Sequence, residues 1–378
     1  MNDQHKSIDI IKLQEKLVET FTAGSRPVLS IIMAFFVSGV IIYLQGINPV
    51  EAYAAVWRGA FGSLVAFGNT CVRTTPLLLG ALGMTLGIRG GHFNVGGEGQ
   101  LYIGAAAATA VALIPFPVPG WLHVLLAMIA GILGGTFWAV LPAFLRAYRG
   151  ISEIVVTIML NFVGIYLVSY FVHEPTLLAK EGASYAQSRE ILDTAVLPIM
   201  VKGTSMHYGI VIAVILGILL QFVLRRTAFG FRTRMVGTNP EASYYAGIKV
   251  KASLFATLLI VGGFYGLMGT VEILGLKHSL YDNFSGGLGY ETIAVALMGG
   301  ANPIGVIFSA FFFGGLKAGG NLMQQTVGIP SSMVQVIQAL AVLFVVGFGV
   351  VTPKPAKRNK KVFQTVTPSK VREEIGNG

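Results

Sequence analysis

Ten apolar runs follow one another along this chain, at 27–45, 72–88, 95–115, 121–145, 151–172, 208–224, 252–273, 285–300, 303–323 and 332–351. Most approach the ~20 residues that an α-helix needs to cross a hydrocarbon core. In lipid, every backbone N–H and C=O must be satisfied within the protein, so runs of this kind are read as helices. The expected fold is therefore all-α, a polytopic membrane protein of about ten transmembrane helices. Composition agrees: 12% of the 378 residues are charged and mean hydropathy is +0.70, whereas soluble domains carry about 25% charged residues. The stretch from Ala52 to Thr70 is interrupted by Arg58 and small residues and is expected to be an interfacial helix.

The polar parts give three regions: an N-terminal segment 1–26, the transmembrane domain 27–351 and a basic tail 352–378, expected to be disordered and held near anionic lipid. The first run is long for a signal-peptide core and has no cleavage pattern after it, so it reads as a retained span. Cys71 is the single cysteine, which excludes an intramolecular disulfide and a cysteine-based metal site. The net charge of +10 does not call for nucleic acid, because basic loops in membrane proteins record orientation. With the N-terminus inside, 20 Lys and Arg fall on the inner side and 6 on the outer, while Lys317 lies within a run. Both termini are thus expected in the cytoplasm of a multi-pass cell-membrane protein.

That orientation puts the long basic stretch Arg225–Lys251 on the inner side. Gly237 reads as a break in its basic arm, and Asn239-Pro240 as a helix start, since proline at the first helical position leaves no donor unpaired. Glu241 to Gly247 then forms a two-turn helix with an acid near its N-terminus and a glycine to end it. Charge alone also admits a solvated loop that only sets topology. A second polar string, Gly90-Gly91-His92-Phe93-Asn94-Val95-Gly96-Gly97-Glu98-Gly99-Gln100, has neither the preceding strand nor the distal acid of a dinucleotide site. Nor does the chain contain the Gly-Lys-Ser/Thr of a phosphate-binding loop, so nucleotide hydrolysis must belong to another subunit. Dense glycine in a membrane setting suits either a tight interhelical turn or backbone lining a polar path.

Four ordered strings carry a resemblance: NVGGEGQLYIGA (94–105), SEIVVTIMLN (152–161), VGTNPEASYYAGI (236–248) and GYETIAVALMGGANPIGVIFSAFFFG (289–314). Together they resemble the permease family of branched-chain amino-acid, ribose and nucleoside ABC importers, and most closely its nucleoside (simple sugar and purine) permeases. The resemblance covers about residues 70 to 350. It implies the permease subunit of an ATP-driven importer and makes the 225–251 stretch a coupling loop. Gly237, Asn239, Pro240, Glu241, Ala242 and Gly247 would then engage an ATPase, with Ser243 where the wider motif has alanine. It further implies partner ATPase subunits that hold ATP-Mg, a second permease subunit (a heterodimer ahead of a homodimer) and an external substrate-binding lipoprotein. No cofactor in this chain, and no nucleic acid, is implied.

The remaining polar residues add candidates. Asn161 within a run reads as an interhelical hydrogen bond ahead of a substrate contact. The loop from His173 to His207 mixes charges that could dock an external protein or simply be solvated. Glu291 and Lys317, ionisable residues at membrane depth, are expected to pair or to share one aqueous path. Phe93, Asn94, Glu98, Gln100 and Glu291 are the candidates for the substrate path. The glycine strings at 96–99 and 286–289 echo each other and hint at an inverted repeat, the first placed inside and the second outside. The six histidines show no metal spacing. No catalytic constellation appears, so the chain reads as a transport subunit and not an enzyme; an ion-coupled secondary transporter, relying on Glu98 and Glu291, is the alternative.

Overall fold

A computed structural model describes residues 29–351; the N-terminal segment and the basic tail lie outside the described residues. Among those residues the fold is all-helical, without strands and with three isolated β-bridges. The helices are α1 (Leu29–Leu44), α2 (Pro49–Phe61), α3 (Leu64–Arg89), α4 (Gly97–Ala112), α5 (Gly120–Arg149), α6 (Glu153–Val172) and α7 (Gly209–Arg226). They continue with α8 (Ala228–Thr238), α9 (Pro240–Tyr245), α10 (Val250–Glu272), α11 (Leu288–Met298), α12 (Pro303–Val327) and α13 (Ser332–Val351). Six helices are long and apolar enough to cross a bilayer: α3, α5, α6, α7, α12, and α10 with its π-helical continuation Ile273–Lys277. α1, α11 and α13 are shorter apolar helices.

Two expectations change. The stretch 52–70 is not one helix: it breaks at Gly62-Ser63, where the Ser63 hydroxyl accepts from Ala66 N–H and starts α3 eight residues before the apolar run. The run 285–300 yields an 11-residue α11, about 16 Å long at 1.5 Å per residue and too short to cross alone.

Both short interior helices are entered through non-helical backbone. From Arg89 the chain runs unhelically through 90–96, passing the first residue of α6, where Phe93 N–H donates to Glu153 at 3.2 Å. It reaches Asn161, two turns further along α6, where α4 begins and Gly99 N–H donates to Asn161 Oδ1 at 2.8 Å. Residues 278–287 penetrate from the opposite end, which the 173–207 loop covers: Ile191 N–H donates to His278 O and Ser188 N–H to Leu280 O. α4 and α11 therefore start at one level and run to opposite ends, α11 finishing where Arg89 Nε donates to Ala301 O at 2.7 Å. The two glycine strings thus do not lie on opposite sides as expected; they are entered from opposite sides and meet. Packing repeats with the same sense: α3 lies on α12 as α10 lies on α5, and α4 on α6 as α11 on α13.

Close approach of α5 and α10 fixes the bundle. Gly131 and Gly135 face Gly262 and Gly266; a Cβ on Gly266 would sit 2.1 Å from Gly131 O, and one on Gly135 2.3 Å from Gly262 O. In lipid, helices gain little from hiding apolar surface from each other, so van der Waals contact through small residues must hold them.

Candidate functional site

The interior junction is built from side chains that reach between the two halves. α11 begins after Gly287, which has no side chain to cap it. The Glu98 carboxylate does that work from α4: Oε2 accepts from Gly289 N–H at 2.7 Å. One buried carboxylate thus lies in the first turn of its own helix and at the N-terminus of another, where both macrodipoles favour negative charge. Asn161 joins three segments, accepting from Gly99 N–H and donating through Nδ2 to Val95 O and the Tyr290 hydroxyl, both at 2.9 Å. Asn94 and Gln100 are buried and paired, Asn94 Nδ2 donating to Gln100 Oε1 at 2.9 Å, while Asn94 Oδ1 accepts from Gly96 N–H. Phe93 is the exposed member of the set, at 37%.

The expected pairing of Glu291 and Lys317 is present: Lys317 Nζ lies 2.8 and 2.6 Å from the two carboxylate oxygens, and both side chains remain about one-fifth exposed. A second pair, Lys277 with Glu272 at 3.6 Å, closes the end of α10. At the entrance to the 90–96 segment, Glu153 holds Phe93 N–H and forms an ion pair with Arg146 at 3.0 Å.

The 225–251 loop is two helices. Thr227 caps α8, its hydroxyl accepting from Gly230 N–H. Gly237 does not break the arm: it lies within α8, and a Cβ there would meet Arg89 O at 2.2 Å and Gly91 N at 2.7 Å. Its task is contact with the turn that leads into 90–96. Asn239 Oδ1 then accepts from Ala242 N–H at 2.9 Å, with Pro240 in the first helical position. α9 ends at Tyr245, two residues before the expected Gly247. Gly247, at φ +80, closes it: its N–H donates to Tyr244 O and Ile248 N–H to Ser243 O, the paired bonds of a Schellman cap. Ser243 is buried and bonded to Asn239 O, which keeps α9 seated. Glu241 and Ala242 are exposed, and so are two residues that sequence reasoning passed over, Tyr244 at 70% and Tyr245 at 86%. Two bare tyrosines side by side in a basic loop were the available signal.

At the other end, His207 is buried against Gly209 and Gly275, with Nδ1 accepting from Gly209 N–H at 3.1 Å. Burial, and then His278 nearby, holds its pKa down at about 4. Among the described residues no group of histidine, cysteine and carboxylates could hold a metal ion.

Comparison with known proteins gives this arrangement its context. Residues 66–346 match the family model described as the branched-chain amino acid transport system, permease component. The guanosine ABC transporter permease protein NupP of Bacillus subtilis is 32% identical over 320 residues, 84% of this chain and 92% of that protein. The nucleoside ABC transporter permease protein NupB of Lactococcus lactis is 30% identical over 84% of this chain and 89% of its own length. The glucose ABC transporter permease protein TsgB13 of Haloferax volcanii is 32% identical over 88% and 89%. No solved structure matches. An all-helical bundle of membrane-length helices, a family match across nearly all of it and full-length permease relatives lead to one conclusion: the chain belongs to the family of branched-chain amino acid transport system permease components and is a transport subunit, not an enzyme.

Proposed function

We propose that this permease carries nucleosides into the cell, driven by ATP hydrolysis on a separate subunit that pushes on α9. The observation that carries the coupling half is the construction of α9: a six-residue helix capped at both ends, with Glu241, Ala242, Tyr244 and Tyr245 exposed. The nucleoside half rests on the relatives named for guanosine and nucleosides; the glucose relative keeps a sugar as the second reading. In this reading the chain makes ten passages, α4 and α11 completing crossings begun by 90–96 and 278–287. The Arg89 end, with α8, α9 and both termini, is cytoplasmic, in agreement with the distribution of basic residues.

Motion of α9 reaches the interior through α8. Gly237 abuts Arg89–Gly91, and seven residues on, that backbone becomes the α4 start that holds α11 through Glu98. A rigid shift of α8 therefore displaces the junction of the two halves, and an ATP-bound ATPase that favours one position by a few kcal/mol drives alternating access. Phe93 and Glu291 border the path; Asn94, Glu98 and Gln100 shape it from behind. The charged 173–207 loop receives the lipoprotein, and a second, different permease completes the path. Ion coupling is the rival reading, yet Glu291 is already paired with lysine and Glu98 caps a helix.

The test is substitution of Tyr244 and Tyr245 by alanine, with Gly247→Phe beside it. Nucleoside uptake and its associated ATP hydrolysis should fall at least tenfold, with the permease still folded in the membrane. Uptake at the wild-type rate in the double alanine variant contradicts the role of α9.

A further inference from the structure

A cleft of about 460 Å³ opens between α2, α3 and α12, near the end opposite α9. Its polar lining is Arg58, Ser63, Asn69, Arg73, Asn321 and Gln325. On α3, Asn69 and Arg73 stand five and nine residues inside the helix start at Leu64; on the antiparallel α12, Asn321 stands six before its end at Val327. At 1.5 Å per residue the polar stripe runs about 14 Å along α3 from its start, with Arg58, Asn69, Asn321 and Gln325 exposed and Arg73 half-buried. Its inner end borders Ala318, next to Lys317 of the Glu291 pair.

These groups have no hydrogen-bond partner outside their own helices, and Arg73 lies within electrostatic reach of Glu272. Asn69, Arg73, Asn321 and Gln325 make no hydrogen bond or ion pair among the described residues, and Arg58 bonds only Ala54 O, within its own helix. The nearby carboxylates are already occupied, Glu272 by Lys277 at 3.6 Å and Glu291 by Lys317 at 2.6 Å. A guanidinium and three carboxamides facing lipid would be expensive and would serve nothing; facing a solute they form a recognition surface. Two arginines and no carboxylate line the cleft, so it repels cations and admits neutral or anionic solutes. Its volume lies in the range of small-molecule sites.

The donor set is specific. A guanidinium offers two parallel N–H groups and no acceptor, and so requires two coplanar acceptors side by side. Among purine nucleosides the 6-oxopurine edge, O6 with N7, provides them; a 6-aminopurine puts an N–H₂ donor where O6 would be. The carboxamides both donate and accept, which suits ribose hydroxyls and the remaining base edge. We infer that this cleft is a low-affinity nucleoside subsite of the path, in which Arg73 reads the O6/N7 edge and favours 6-oxopurine over 6-aminopurine nucleosides. The inference rests on the nucleoside reading above.

Saturation-transfer NMR on the detergent-purified transporter, without lipoprotein, tests it with guanosine, inosine and adenosine as probes. Wild type should transfer saturation to H8 of guanosine and inosine at least fivefold more strongly than to H8 of adenosine. In Arg73→Ala that preference should vanish. Arg73→Lys, which keeps the charge but not the fork, should not restore it. An elution volume on size exclusion and a thermal unfolding midpoint matching wild type, in both variants, show that the fold is kept. A preference retained in Arg73→Ala, or none in wild type, overturns the role of Arg73 while leaving nucleoside transport standing. If wild-type transporter with its lipoprotein takes up no nucleoside, the broader reading falls with it.

Discussion

Asn161 shows how much one polar side chain can hold in a bilayer. Replacing it by alanine leaves Gly99 N–H, Val95 C=O and the Tyr290 hydroxyl without this partner. An unpaired buried group costs ~1–3 kcal/mol, and membrane hydrogen bonds average nearer ~0.6. Between these limits Asn161→Ala should lose about 2–4 kcal/mol, read as several degrees in thermal unfolding of the purified transporter. His207 sets a pH dependence. Its folded pKa of about 4 lies below the ordinary value of 6.5, so the unfolded chain takes up a proton first as pH falls. The stabilisation is full above pH ~6.5 and is lost as pH drops toward 4, reaching about 3 kcal/mol at 1.36 kcal/mol per unit. The loss of unfolding temperature between pH 7 and 5 should be smaller in His207→Gln. Asn161 and the Glu291–Lys317 pair were legible because a polar group at membrane depth must find a partner. Glu98 stood out only as a candidate for the substrate path and not as a cap, since its partner Gly289 is 191 residues away.

At the scale of elements, the sequence speaks through its helix starts. Asn48-Pro49, Asn239-Pro240 and Asn302-Pro303 each begin a helix, with the asparagine Oδ1 accepting from the backbone two or three residues on. The same dipeptide that located α9 also starts α2 and α12. Glycine misled, because a single residue type serves opposite ends. Gly247 ends a helix at positive φ, whereas Gly237 lies inside α8 and allows contact with Gly91. Only three-dimensional proximity separates these roles. Gly237→Val should force α8 away from Arg89–Gly91 and lower uptake at least tenfold. Lipoprotein binding at the far end, measured on the same preparation, should stay within twofold. Equal loss of both would mark general misfolding and remove Gly237 from the coupling route.

For the molecule as a whole, the apolar runs gave the fold class and most helix positions. They could not give the paths into the bundle, because 90–96 and 278–287 are not helical and are stabilised by residues distant in sequence. Four echoed glycine positions hinted at the repeat; the antiparallel pairing of α3–α4 with α10–α11 makes it visible. In the proposed mechanism the bundle moves its solute only if work done on α8 and α9 reaches the junction at Glu98. The direct test is nucleoside uptake by proteoliposomes holding the complete transporter and its lipoprotein, with sodium and proton gradients collapsed by ionophores. Uptake should persist with ATP on the α9 side and stop when ADP replaces it. Uptake that requires an ion gradient and ignores ATP would contradict the account.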